Sequence, residues 1–514
     1  ETRLLREVAG QLEFRNELVR AHAYYEVPST LRLELHRRVA RLLERLANDQ
    51  APHELEIAWH YIIGRDPQSA ARHALAGAER SLTEGAPREA ELILQALRRE
   101  EFDEATSRQS ALLLGAALMG QSKADEALPL LDQLLADDHA TRLEIARAAR
   151  LYASAMYLLN RNSTAKHSEM AERALQVARE CDDKELLAHA LFECGRAGVE
   201  SGQVELTERA REELHRTLIV PRNGVPPIAF FADAYCSYFL LDIERALESA
   251  QLAVTGLSAK KNIGELALGY NALGNCKMAG CRFEEARGAY ESALNLWKRV
   301  GDDYRVSLTH YNLGGSHLME GDLDRAIHEF ELSLAIGKQA QAQPVLLWTW
   351  SSLALANLVQ GRLSAATECL YALKHWSEQG RSWAMNMEYY CGAAEIELAM
   401  GNENEALMLI AKAEQDLQGR GYLFVSQGTL ERLRVFLAYH AQGPEAAHLL
   451  VEEFMKRFKG RHQLAHLEVV AALAWIERKA GGKHSDTTEI ELQLFDKLGA
   501  GGKRAILSAQ GFLV

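Results

Sequence analysis

The stretch Tyr270–Trp297, YNALGNCKMAGCRFEEARGAYESALNLW, decides how the chain folds. It holds two apolar runs at helical spacing, broken by a glycine-and-cysteine corner at Gly280-Cys281. Leu273-Gly274 on the first run and Ala286, Tyr290 and Ala293 on the second alternate bulk with smallness. That alternation is what two antiparallel helices need when their backbones approach closely and an aromatic knob fills the space beside the contact.

Outward from this stretch the pattern recurs every forty residues. GDLDRA begins at Gly321, GRLSAA at Gly361 and GNENEA at Gly401, and their final alanines, Ala326, Ala366 and Ala406, fall in step with Ala246, Ala286 and Ala446. Upstream of the alanines stand Leu313-Gly314, Leu353-Ala354 and Ala393-Ala394, preceded by Tyr270, His310, Trp350 and Tyr390. Downstream come Phe330 and Ser333, Leu370 and Leu373, Ile410 and Ala413. Gly321, Gly361 and Gly401 stand where a first helix ends and a left-handed residue is wanted. An internal period of this length signals stacked helical hairpins.

The pattern resembles the tetratricopeptide repeat, with a period of forty in place of thirty-four and no proline closing the second helix. The resemblance implies an all-α, right-handed superhelical solenoid whose first helices line a concave face. It is clear over about residues 228–450 and looser upstream, in GAPREA (Gly85–Ala90) and around Ala127, Ala171 and Ala210. The seam VPRNGVPP, Val220–Pro227, holds three of the ten prolines. The expected divisions are residues 1–50, 51–219, 228–480 and a capping region 481–514.

Residues 12–46, LEFRNELVRAHAYYEVPSTLRLELHRRVARLLERL, break the pattern. They read as a strand ending at Phe14, a helix through Tyr25, a break at Pro28 and an amphipathic helix N-capped by Ser29 or Thr30. Phe14, Arg15, Leu18, Val19, Arg20 and Tyr24 or Tyr25, then Arg32, Leu35, His36, Arg37, Ala40, Leu43 and Glu44, resemble the end of the winged-helix part in bacterial STAND-type signal-transduction ATPases. Asn16 stands where that family has His. HELEIAWHY (His53–Tyr61), residues 70–97 and LFDKLGA (Leu494–Ala500) resemble the segments that follow. The resemblance implies the sensor arm of a LuxR-type regulator or an ATPase-linked kinase or cyclase, with ATP and Mg²⁺ needed only by an ATPase domain preceding Glu1.

Composition agrees with a helical protein of ordinary type: 514 residues, 48% hydrophobic, 25% charged and ten prolines. A net charge of −13 argues against a general nucleic-acid surface. Seven cysteines without a CxxC pair read as reduced thiols and point to a cytoplasmic setting. The uncharged run Gln339–Gly361 is long enough to span a membrane, but it keeps the repeat register and reads as a buried helix. The sequence carries no GxxxxGK[ST], GxSxG or HExxH, so no catalytic constellation and no cofactor site is expected within these residues.

Three sets of residues stand out as sites. Repeat register puts Asn271, Asn275, Tyr311, Trp348, Ser351 and Glu395 on the exposed flank of the first helices, an aromatic platform with amide and hydroxyl partners. The alternative is packing between repeats. Arg37, Arg38, Arg41 and Arg45 form a stripe that faces DNA or an ATPase domain, or else simply solvates its helix. His462 and His466, at i and i+4, have a metal-chelating spacing but lack further ligands and read as an exposed surface pair. The functional expectation is a sensor or scaffold arm that takes a small-molecule inducer, peptide or protein partner in its groove and controls an attached ATPase; self-association through exposed repeat ends is left open by the sequence. The alternative is a free-standing adaptor that joins two proteins without nucleotide.

Overall fold

The computed structural model describes residues 5–8, 11–14, 16–46, 53–100, 102–159, 164–220, 224–260, 262–379, 383–417, 428–481 and 484–513. Arg15 and residues 221–223 of the proline-rich seam lie outside these. The chain divides into two compact units, residues 1–117 and 118–514.

The first unit opens with strands β1 (Leu5–Val8) and β2 (Gln11–Phe14), paired antiparallel with Leu5 opposite Phe14. Helices α1 (Glu17–Glu26), α2 (Ser29–Leu46), α3 (Glu54–Ile63), α4 (Pro67–Glu84) and α5 (Pro87–Leu97) follow, and α6 (Glu104–Met119) runs across the division. Asn16 caps α1, its side chain accepting the Leu18 amide at 2.8 Å. Neither Ser29 nor Thr30 caps α2. The helix already includes both, and the carbonyl of Pro28 accepts the Arg32 amide at 3.0 Å, which puts Pro28 itself at the cap position.

The second unit is a solenoid of helical hairpins: α7 (Ala124–Leu135), α8 (Arg142–Leu159), α9 (Thr164–Ala178), α10 (Lys184–Ser201), α11 (Val204–Leu214, with a π-helical turn to Ile219), α12 (Pro227–Phe239), α13 (Ile243–Lys260), α14 (Ile263–Ala279), α15 (Phe283–Val300), α16 (Asp303–Glu320), α17 (Leu323–Gln339), α18 (Gln343–Val359), α19 (Leu363–Gln379), α20 (Trp383–Ala399), α21 (Glu403–Leu417), α22 (Thr429–Gln442), α23 (Pro444–Phe458), α24 (Gln463–Lys479), α25 (Asp486–Leu492), α26 (Leu494–Lys497) and α27 (Gly501–Ala509). From α12 each even-numbered helix to α22 packs on its odd successor, and the odd helix packs on the next hairpin. Helix α12 also packs on α10 and α11, across the proline-rich seam. The uncharged run becomes α18, buried among its neighbours, and no described helix is long and apolar enough to cross a membrane.

Packing explains the forty-residue period. A Cβ on Gly274 would lie 2.3 Å from the Tyr290 ring, and one on Gly314 2.6 Å from Phe330. Where the first helix carries Ala354 or Ala394 instead, the facing knob shrinks to Leu370 or Ile410. Volume is thus conserved across each hairpin while its division between the two helices changes. The turn position is left-handed throughout, with φ of +102°, +76° and +81° at Gly321, Gly361 and Gly401, and also +62° at Leu241 and +56° at Cys281. A non-glycine there costs about 1 kcal/mol, which the burial of both side chains in the apolar core offsets.

One repeat departs from the expected register. Ala447, not Ala446, is the fully buried small residue of α23, because the preceding turn is made by Gly443 (φ +94°), two positions beyond the forty-residue step. The last helices do not simply cap the array. Helix α27 folds back on α16 and α18, where Gly502 sits so close that a Cβ would meet the Leu318 carbonyl at 1.8 Å.

Candidate ligand-binding cavity

The first helices of successive hairpins surround a cavity of about 210 Å³. Helix α14 contributes Asn275, α16 Tyr311 and Asn312, and α18 Trp348, Ser351 and Ser352. On the other side stand Glu388, Cys391 and Glu395 of α20, Thr429 of α22, and Glu468 of α24 with His462 at its cap. Helix α27 supplies Lys503 and Ile506.

Five of the six concave-face residues expected from the sequence, Asn275, Tyr311, Trp348, Ser351 and Glu395, therefore line one space. The sixth, Asn271, stands behind it and accepts a hydrogen bond from Asn312 at 2.9 Å. Asn275 accepts from the Tyr290 hydroxyl at 2.8 Å, which fixes its side-chain oxygen and leaves its amide group as a donor. Tyr311 and Trp348 lie with ring centroids 5.9 Å apart at 37°. Two wall residues escaped the sequence reading: Glu388, one forty-residue step beyond Trp348, and Cys391, one step beyond Ser351. The period itself is the signal that would have found them.

A charged cluster supports one end of the cavity. Arg432, fully buried, donates to Glu395 at 2.8 Å and to Glu468 at 2.6 Å. Glu468 also accepts from Thr429 at 2.7 Å and pairs with Lys503. Gln510 donates to Glu395 at 3.3 Å, and Phe512 stacks under the Arg432 guanidinium at 4.3 Å. Burial alone would raise the Glu468 carboxyl, but Lys503 and Arg432 hold it well below the usual carboxylate range. At the other end burial, with Glu388 and Glu395 adding to it, pushes the Tyr311 hydroxyl and the Cys391 thiol up, so both keep their protons.

His462 and His466 do not form the expected exposed pair. They are 7% and 2% exposed. His462 is the N-cap of α24, its Nδ1 accepting the Ala465 amide at 3.1 Å, and His466 bonds Glu491 at 2.9 Å. Burial holds the His462 imidazole down to about 4, so it is neutral at pH 7 with its proton on Nε2, a donor on the cavity wall. Among the described residues, Glu185, His189 and Glu265 are spaced to hold a metal ion, but Lys260 already pairs with Glu185 at 2.6 Å. All seven cysteines are free thiols, and all but Cys181 are buried.

In the first unit the arginine stripe is divided. Arg37 donates to the Gly64 carbonyl at 2.7 Å, Arg38 pairs with Glu34 at 3.1 Å, and Arg45 bonds the Arg41 carbonyl at 3.2 Å. Arg38, Arg41 and Arg45 remain exposed.

No curated protein matches the chain in sequence. Among solved structures, a Rap protein complexed with competence and sporulation factor aligns over 67% of this chain and 97% of its own, with 13% identity and a TM-score of 0.47. A signal-transduction ATPase with numerous domains and a tetratricopeptide repeat sensor, from Pyrococcus horikoshii, aligns over 73% of this chain and 57% of its own, with 14% identity and a TM-score of 0.44. Residues 265–339, which include the stretch that sets the forty-residue pattern, match the family model described as tetratricopeptide repeat.

Proposed function

We propose that the second unit is the ligand-receiving arm of a multidomain signalling ATPase, and that occupancy of its cavity controls that ATPase. A tetratricopeptide-type solenoid is a scaffold for interaction, and its first helices converge here on one lined space. The observation that carries the reading is that aromatic, amide and carboxylate groups from the first helices, with Lys503 from α27, line this one space. Such a lining suits a small inducer, where an adaptor that only joins two proteins would need no convergent set of polar groups.

The link to an ATPase rests on the winged-helix-like phrase in residues 12–46 and its resemblance to STAND-type proteins. The exposed Leu31, Leu35, Leu42 and Leu46 on α2, beside Arg38, Arg41 and Arg45, support docking of a further domain on that helix. A thermal-shift screen of metabolites on this chain tests the reading. A hit that raises the melting temperature and is lost on Trp348→Leu supports it. If no small molecule binds while the chain bridges two proteins in pull-downs, the adaptor reading replaces it.

A further inference from the structure

The solenoid of the second unit meets itself again further along the chain. Ser122, in the turn after α6, donates to the Asp302 carboxylate at 2.9 Å across 180 positions of sequence. Asp302 is the N-cap of α16, where it accepts the Arg305 amide at 3.1 Å. Leu158, at the end of α8, packs on a small apolar cluster of Tyr304, Ala342 and Val345 at the starts of α16 and α18. Helix α10 packs on α20.

These contacts differ in kind from those along the stack. Neighbouring hairpins share extended apolar cores, whereas the meeting of the turns rests on a hydroxyl–carboxylate pair and on a cluster separate from those cores. In a repeat array each hairpin completes its core with its neighbours alone. Contacts between turns can therefore break while every hairpin stays folded, and sparse contacts open first. Closure also has a cost at Asp302. Its residue is 1% exposed, although the equivalent cap one hairpin on, Asp322, keeps a side chain 38% exposed. Burial pushes the Asp302 carboxyl up from its usual range, against the pull of Arg305. An open form would return that group to water.

We infer that this contact is a latch: α7–α10 are held shut on α16, α18 and α20, and swing off them as intact hairpins. The solenoid then has a closed form, described here, and an open one. Tyr311 and Trp348 pack on the same cluster as Leu158 and also line the cavity. A shift of either ring therefore reaches both the latch and the cavity. That coupling rests on the ligand-receiving reading above; the latch itself does not.

The test sets two double variants of the full chain against each other. Ser122→Glu with Leu158→Glu brings a second carboxylate to Asp302 and a charge to the apolar cluster. Ser122→Lys with Leu158→Met keeps an attractive partner and an apolar side chain at the same two places. Small-angle X-ray scattering gives the radius of gyration, and circular dichroism gives the helix content. The Glu pair should expand the chain with its helix content unchanged, while the Lys–Met pair keeps wild-type dimensions. A folded Glu pair as compact as wild type overturns the latch. So does equal expansion of both pairs, which would trace to the turn after α6, and so does expansion with loss of helix, which would be unfolding. Small-molecule binding is read separately by thermal shift, so the ligand reading can fail while the Glu pair still expands.

Discussion

Gly314→Ala is the sharpest probe of how the hairpins nest. The added Cβ would lie 2.6 Å from Cδ1 and Cε1 of Phe330 and 3.1 Å from the Ala326 carbonyl. Carbon pairs settle at about 3.5–4.0 Å, so the ring must retreat by about 1 Å into a site where it is already fully buried. Overpacking of this kind costs about 1–3 kcal/mol, and alanine's better helix propensity returns about 1 kcal/mol. The net expectation is a loss of up to about 2 kcal/mol. Phe330→Leu alone leaves a void and costs about 1–2 kcal/mol, between the methylene and whole-ring deletions. The double variant reproduces the Ala354–Leu370 combination that the next hairpin already uses. It should cost less than the sum of the singles by at least about 1 kcal/mol. A long repeat chain need not unfold in one step, so the free energies are best read from native-state amide exchange in α16 and α17. Additive singles, or a Gly314→Ala variant more stable than wild type, would refute the nesting argument.

Arg432→Met should cost about 3–5 kcal/mol in urea unfolding, because it removes the cation that Glu395 and Glu468 share in the interior and leaves only Lys503 to offset two carboxylates; neutralising Glu395 as well should restore most of the loss, and no restoration would dissociate the cluster from stability. His462 has a folded pKa of about 4 against an unfolded 6.5. Its contribution is complete above pH 6.5 and is lost as pH falls toward 4, by up to about 3 kcal/mol. Burial raises Glu200 to about 7, which works in the opposite direction, so the measurement is the pH-dependent difference between wild type and His462→Asn; a flat difference would contradict the neutral buried cap. Gly502→Val should detach α27 from α16, seen as lost amide protection in residues 501–513, and unchanged protection would contradict the close approach to the Leu318 carbonyl.

Much of this architecture is legible in the sequence because the constraint is local and recurrent. Wherever two helices touch, a small residue must stand at the contact, so Ala246, Ala286, Ala326, Ala366 and Ala406 announce the period without any knowledge of the whole. The same register carries over to the cavity, since positions one period apart on stacked helices face the same way. Asn275, Tyr311, Trp348 and Ser351 were reachable by that route, and Glu388 was too.

What escaped has no local signature. Ala447 replaces Ala446 because the turn moved to Gly443, and apolar periodicity tolerates a one-residue slip. His462 reads as half of a chelating pair until its role as a buried helix cap is seen. The fold-back of α27 joins residues more than 180 positions apart, and only packing between distant segments specifies it.

That fold-back changes how the arm bears load. A string of hairpins held only to its neighbours peels from its free end, one unit at a time. Here a pull on the chain at residue 513 is shared between α24, through the Arg478–Gly511 and Lys503–Glu468 contacts, and α16, near the middle of the second unit, through the close approach of Gly502 to Leu318. The four hairpins from α16 to α23 are spanned by that strap, so the unit resists tension like a buckled belt rather than an open spring.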